Sequence, residues 1–251
     1  MFIFATNTKT IDMKKSLLLV VAAGFLFASC GYIGGKRGRG NSNLTTSERS
    51  VGEFKGVNTS GSFDVYVSTG PTSVKIEAEE NLIPYIETFV EGNILKIKTK
   101  QGFWLKTNRQ VKIFVTAPSF TSIHSSGSGN IVSQGKISDS NKIDLSVTGS
   151  ADITVDLDAP EVHSEITGSG NVKLTGTTKT FSGEIRGSGD IKAYDLLSED
   201  SDIQISGSGN ADVSASVKLK VHIAGSGDVR YKGDPQLDSR IAGSGSVKKV
   251  N

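Results

Sequence analysis

Ile185-Arg186-Gly187-Ser188-Gly189-Asp190-Ile191 returns as Ile205-Ser206-Gly207-Ser208-Gly209-Asn210-Ala211. The same Gly-Ser-Gly begins at Gly127, Gly168, Gly187, Gly207, Gly225 and Gly243, and Gly149-Ser150-Ala151 is a seventh copy with its second Gly replaced. First glycines are spaced by 22, 19, 19, 20, 18 and 18 residues. A worn copy stands at Gly61-Ser62-Phe63-Asp64.

Alignment on the first Gly exposes fixed columns. Two residues before it stand Val147, Ile166, Ile185, Ile205, Ile223 and Ile241, with Ser125 the exception in the first copy. One position earlier every residue is polar: His124, Ser146, Glu165, Glu184, Gln204, His222 and Arg240. Three residues after the Gly come Asn130, Asp152, Asn171, Asp190, Asn210, Asp228 and Ser246, and the next position is apolar in every copy. Alternation with period two marks half-buried strands. Strands this short are marginal as isolated hairpins. Stacked as turns of a coil, about 4.8 Å apart, they pair with the turns above and below. The aliphatic columns then fill the interior and the polar column faces water.

The glycines answer to the corner between strands, where a positive φ is tolerated. Asn or Asp after the motif suits turn chemistry through nearby backbone amides. Ala151 implies that the second Gly position is not always left-handed. The absence of a six-residue apolar rhythm and the general preference for right-handed crossovers predict a right-handed, single-stranded parallel β-helix with coils of about 19 residues.

Residues 51–123 carry longer alternating strands, among them Phe63–Val67, Ser73–Glu77, Ile94–Lys98 and Val111–Val115. Glu91-Gly92-Asn93 reads as a hairpin turn and Glu80–Ile86 as one helical turn broken by Pro84. This half is expected to form larger, less regular coils capping the N-terminal end of a solenoid domain over 51–250.

What precedes the domain reads as export machinery. Met13-Lys14-Lys15 is a basic n-region and Ser16–Phe27 an apolar run of signal-peptide length, too short for a resident span. Residues 1–29 are therefore expected to be a signal peptide, with 1–12 an upstream extension. Phe27-Ala28-Ser29-Cys30-Gly31 resembles a bacterial lipobox, which makes Cys30 the expected lipidation site. A lone Cys in an exported chain agrees with that role. Residues 30–50, rich in Gly, Ser, Asn and Thr, read as the lipid-anchored Cys and a flexible linker. The expected location is the cell envelope, with the membrane as partner through the anchor.

Without residues 1–29 the chain holds 25 basic and 25 acidic residues. A neutral balance excludes nucleic acid as an expected partner. No cofactor or paired-Cys motif appears, and no cofactor is expected. His124 and His222 share a column five coils apart, roughly 24 Å, and cannot share a metal. One Asp or Asn per coil is too sparse for a calcium repeat, so no metal is expected. Glu165 and Glu184 occupy one column in successive coils, about 5 Å apart, the separation of a retaining glycosidase pair. Arg186, Lys173 and Lys192 nearby argue instead for a solvated ladder. Trp104, in Gly102-Phe103-Trp104-Leu105, has two readings. Covering the open end of the core is the first, and stacking on a sugar or protein partner is the second.

The Gly-Ser-Gly-[Asn/Asp] ladder, preceded by a long-strand half ending in Ala117-Pro118-Ser119-Phe120, resembles the head GIN domain of putative auto-transporter adhesins. The resemblance spans about residues 50 to 248. It implies a right-handed, pectin-lyase-like β-helix, and it carries over no catalytic residues. The function expected is a non-enzymatic exported lipoprotein that binds a glycan or protein through its solenoid surface. The alternative is a polysaccharide-processing lyase or hydrolase on the same scaffold.

Overall fold

Every first glycine of the motif lies beside the first glycine of the next coil. Gly61 pairs in register with Gly127, and Gly149, Gly168, Gly187, Gly207, Gly225 and Gly243 continue the line. The computed structural model describes residues 36–250. It is a β-solenoid of about 7 turns.

The N-terminal half contains β1 (Lys36–Arg39), β2 (Leu44–Arg49), β3 (Gly56–Gly61), β4 (Asp64–Thr69), β5 (Ser73–Glu79), β6 (Ile86–Glu91), β7 (Ile94–Thr99), β8 (Phe103–Lys106) and β9 (Lys112–Ala117). The repeating half contains β10 (Ser122–Gly127), β11 (Ile131–Ser138), β12 (Lys142–Gly149), β13 (Asp152–Gly168), β14 (Asn171–Gly187), β15 (Asp190–Gly207), β16 (Ala211–Gly225), β17 (Asp228–Lys232), β18 (Gln236–Gly243) and β19 (Ser246–Lys249). From β10 onward every pairing is parallel. Strands β13, β14 and β15 each run almost a whole coil, because β11 pairs with the first limb of β13 and β12 with the second.

The aliphatic column is the core. Val147, Ile166, Ile185, Ile205 and Ile223 are fully buried, while Gln204, one residue away, is exposed. Ser125 is buried in the same column, beside Thr59 below it and Val147 above, and neither hydroxyl finds a hydrogen-bond partner. Unequal coil lengths are absorbed outside the Gly-Ser-Gly corner. The 20-residue coil bulges between Lys173 and Thr175 of its neighbour's register, and the shorter coil after it slips between Ala193 and Leu197. Bulges there leave the Gly-Ser-Gly corner in perfect register.

The two glycines of the motif answer to different constraints, and the second gives way to Ala in the Gly149 copy. The first has φ between 115° and 147° in every copy from Gly127 to Gly243. The second has an ordinary φ, but a Cβ on Gly189 would lie 2.1 Å from the carbonyl oxygen of Gly170, and Gly209 and Gly227 repeat that approach on the coil before. The corner is closed by a hydrogen-bond ladder in which the motif Ser amide donates to the first-Gly carbonyl of the previous coil, as Ser208 to Gly187 and Ser226 to Gly207, both 2.9 Å.

The N-terminal half is only partly solenoid. β3 and β4 stack in parallel on β7 and β9, continuing the coil. Beyond them the pairing turns antiparallel, β6 on β7 and β2 on β5 on β9. The Glu91–Ile94 turn has Gly92 at φ 58° and Asn93 at φ 64°, the two positive dihedrals a type I′ hairpin requires. Ile83–Tyr85 forms one 3₁₀ turn holding Pro84.

The flexible linker expected over 30–50 is corrected for its described part. Lys36–Arg39 and Leu44–Arg49 are strands, and β2 pairs along its length with β5. Between them the chain is stitched to Glu79, which is fully buried and accepts hydrogen bonds from the amides of Ser42 (2.6 Å) and Asn108 (2.9 Å). Gly40 is required there, because a Cβ would overlap the Glu79 carboxylate. Gly- and Ser-rich composition reads as a tether until a buried anchor gives its amides a partner. The signal peptide and Cys30 lie outside the described residues. Residues 37–251 form one compact unit, and every core residue from Phe54 to Val229 lies inside it.

Candidate functional site

Gly102, at φ 81°, turns the chain after Lys100 and launches β8, with the Phe103 amide on the Lys100 carbonyl at 3.1 Å. Alternation along β8 then sorts its side chains. Phe103 and Leu105 are half-buried, and Phe103 stacks on Tyr85 with ring centres 4.4 Å apart. Trp104 points the other way and is 61% exposed. It does not cover the core. Leu105, on the opposite side of β8, is the residue that packs against the core, so the covering reading does not hold for Trp104.

Trp104 instead lines a cleft of about 500 Å³ between β8 and the corner Ser60-Gly61-Ser62-Phe63. The lining includes Phe63 and Val111, both nearly fully buried, beside Phe103 and Leu105. Ser60, Lys98, Thr99, Gln101 and Thr107 supply polar groups. Lys98 is held in place, 3.6 Å from Glu87 and above the Phe89 ring at 5.1 Å. An exposed aromatic face over apolar side chains, ringed by a few donors and acceptors, has the size and make-up of a small-ligand site. Gly61, the worn first rung of the ladder, and Trp104 are brought together here. Lys98, Gln101 and Val111 were not singled out from the sequence. The odd aromatic in a strand-rich stretch was the one signal pointing to them.

The other candidates disperse. Glu165 and Glu184 are in-register neighbours, and Arg186 binds both, one guanidinium nitrogen on Glu165 and the other on Glu184 at 2.6 Å. A shared arginine pairs with both carboxylates on a partly exposed face, so each is engaged in an ion pair rather than facing a substrate pocket. His124 is pushed below the ordinary histidine range by burial and by the Lys96 charge, against an opposing pull from Glu165. His163 lies beside Asp144 and Ser182, and His222 beside Gln204 and Arg240. Among the described residues no group of three or more His, Cys, Asp and Glu side chains is placed to hold a metal.

The Asp/Asn column is a ladder between coils rather than a set of local turns. Asp64, Asn130, Asp152, Asn171, Asp190, Asn210 and Asp228 alternate without fault up to Ser246. Asp152 Oδ1 accepts from the Asn171 amide (3.0 Å) and side chain (2.8 Å), and Asp190 does the same for Asn210. Asn210 accepts from the Asp228 amide at 3.1 Å, and Asp228 accepts from the Ser246 amide and hydroxyl. The Ser246 hydroxyl is the main cause holding the Asp228 carboxyl below its usual range. Alternation keeps carboxylates two coils apart and gives each one a donor.

The described residues form a repeat solenoid whose N-terminal half carries the Trp104 cleft. Residues 53–235 match the family model described as putative auto-transporter adhesin, head GIN domain, and the chain belongs to that family. A crystal structure of a putative adhesin from Bacteroides fragilis shares the fold, with a TM-score of 0.79 at 22% identity over 84% of this chain and 99% of that one. A putative lipid binding protein from Parabacteroides distasonis aligns with a TM-score of 0.73 and 27% identity, over 86% of this chain and all of that one. A putative adhesin from the same organism gives 0.69 and 25%, over the same shares of the two chains. No curated protein matches the chain.

Proposed function

We propose that this protein is a non-enzymatic binding module of the cell envelope, exported and anchored through Cys30, and that its ligand is a glycan held in the Trp104 cleft. The carrying observation is the 61% exposure of the chain's single Trp over an apolar cleft of about 500 Å³. A pyranose ring presents one apolar face for Trp104 and hydroxyls for Ser60, Thr99, Gln101 and Thr107. Membership in an adhesin family agrees with binding outside the cytoplasm. The Arg186 clamp on Glu165 and Glu184 weighs against hydrolysis.

A second reading, an acyl chain in the cleft, is favoured by Phe63, Val111 and Leu105 in the lining and by the relative described as a lipid binding protein. Because Trp104 is the only Trp, tryptophan emission reports on the cleft alone. Glycan-array hits of residues 37–251 are expected to shift that emission to the blue. Trp104→Ala should abolish array binding without lowering the melting temperature. A shift with fatty acids or vesicles and none with glycans would replace the glycan reading by the lipid one. Binding unchanged in Trp104→Ala would remove the cleft from either.

A further inference from the structure

The last coil breaks the burial rule that governs the others. Leu237 and Ile241 stand in register with Leu219 and Ile223, which are fully buried, yet they are 40% and 43% exposed. Their strand, β18, pairs with β16 on one side, and among the described residues no strand pairs with its other edge. An open parallel edge with an apolar inner face is a template for another strand.

The sequence of that edge says which strand fits. In Leu237-Asp238-Ser239-Arg240-Ile241 the residues are arranged about Ser239. Leu237, Ser239 and Ile241 face the core column, while Asp238 and Arg240 continue the outward columns of Lys220 and His222. Two copies related by a two-fold axis through Ser239 would run antiparallel. Leu237 then meets the partner's Ile241, and Asp238 meets the partner's Arg240, each pair occurring twice. Any other register of this strand on itself loses either the apolar pairs or the charge pairs. Among the described residues neither Asp238 nor Arg240 makes an ion pair within its own chain. A self-complementary patch is the mark of an isologous interface, and cross-strand pairs of these kinds are the units that stabilise one.

We propose that the protein associates with a second copy of itself, tail to tail, through an antiparallel β18–β18 pairing centred on Ser239. The contact continues the solenoid sheet across the two-fold axis and covers Leu237 and Ile241. It leaves the Trp104 cleft of each copy, in the N-terminal half, outside the contact, so that one particle presents two ligand sites. The surface pairing does not depend on what the cleft binds.

Sedimentation analysis of residues 37–251 over a wide concentration range tests this. A reversible dimer is expected. Arg240→Asp places like charges opposite each other twice and should weaken the dimer at least about tenfold. The double exchange Asp238→Arg with Arg240→Asp restores both pairs and should return the dimer to near the original strength. Ser239→Cys should oxidise to a covalent dimer, since directly opposed residues of antiparallel strands lie within disulfide reach, while Ser244→Cys, on the exposed corner, should not. A chain that stays monomeric with Ser239→Cys uncrosslinked overturns the proposal. So does a dimer indifferent to Arg240→Asp, which would place the contact on another surface. A monomer that instead captures an extended peptide on β18 would make the edge a site for a foreign strand and would overturn it equally.

Discussion

From Ser122 to Gly243 the coils solve one packing problem repeatedly, whereas residues 36–121 solve a different problem at each step. In the repeating half, its last coil excepted, a side chain's environment follows from its distance to the nearest Gly-Ser-Gly. Ile205 is buried because Ile185 lies below it and Ile223 above. In the N-terminal half Glu79 is buried because one particular segment, Gly40 to Ser42, folds over it with amides to offer. The first arrangement is cheap to specify and easy to extend, since each new coil reuses its neighbour's contacts. The second cannot be extended, and for that reason it can close an end and build a cleft.

The strongest way to break this comparison is to charge the column. Ile205→Asp puts an unpaired carboxylate among aliphatic side chains and should cost several kcal/mol. Gln204→Asp, on the outward face one residue away, should be nearly neutral. Thermal melts of the two variants check the register directly, and equal melting temperatures would refute it.

A glycine pair sharpens the contrast between regions. Gly207 has φ 136°, and a Cβ there would lie 2.2 Å from the Gly187 carbonyl oxygen. Gly92 has φ 58° with open space around it. Gly92→Ala should therefore cost only the local strain, about 1 kcal/mol, while Gly207→Ala adds a backbone clash to strain of about 1–3 kcal/mol. Chemical denaturation of both variants measures the difference. Similar costs would mean that the ladder can open to admit a methyl group.

The smallest expected effect lies in the acid limb of stability. Burial raises the Glu79 pKa, but hydrogen bonds from Asn108 and Ser42 outweigh it and leave the carboxyl below its ordinary 4.5. A depressed folded-state pKa contributes stability that is present above the unfolded-state value and lost as pH falls through the folded-state value. The wild type should thus lose stability from about pH 4.5 downward. Part of that loss belongs to Glu79 and part to Asp228. Glu79→Gln should be less stable at neutral pH and should show a shallower acid decline. Parallel acid-unfolding curves for the two proteins would show that Glu79 is not held ionised.

The amino-acid sequence alone makes the repeating half legible. Its period, its buried columns and the place of its corners are written locally, because period-two alternation encodes burial and a positive φ selects glycine wherever it falls. It also disclosed the hairpin at Gly92-Asn93. What depends on two distant segments meeting is visible only in the folded chain. The second glycine answers to the carbonyl of the coil before, not to its own φ. The Asp/Asn column bonds the amide of the next coil, not its own turn. Arg186 reaches back across a coil to Glu165 while also pairing with Glu184 on its own strand. The stretch after Lys36 becomes strand because β5 and β8 offer it edges to pair with and Glu79 accepts the Ser42 amide between them, and Trp104 stays in solvent because Leu105 takes the inward side of β8. Alternation tells a residue which way to face. It does not say what it will find there, and in a chain that coils, what it finds is set by the path of every coil between.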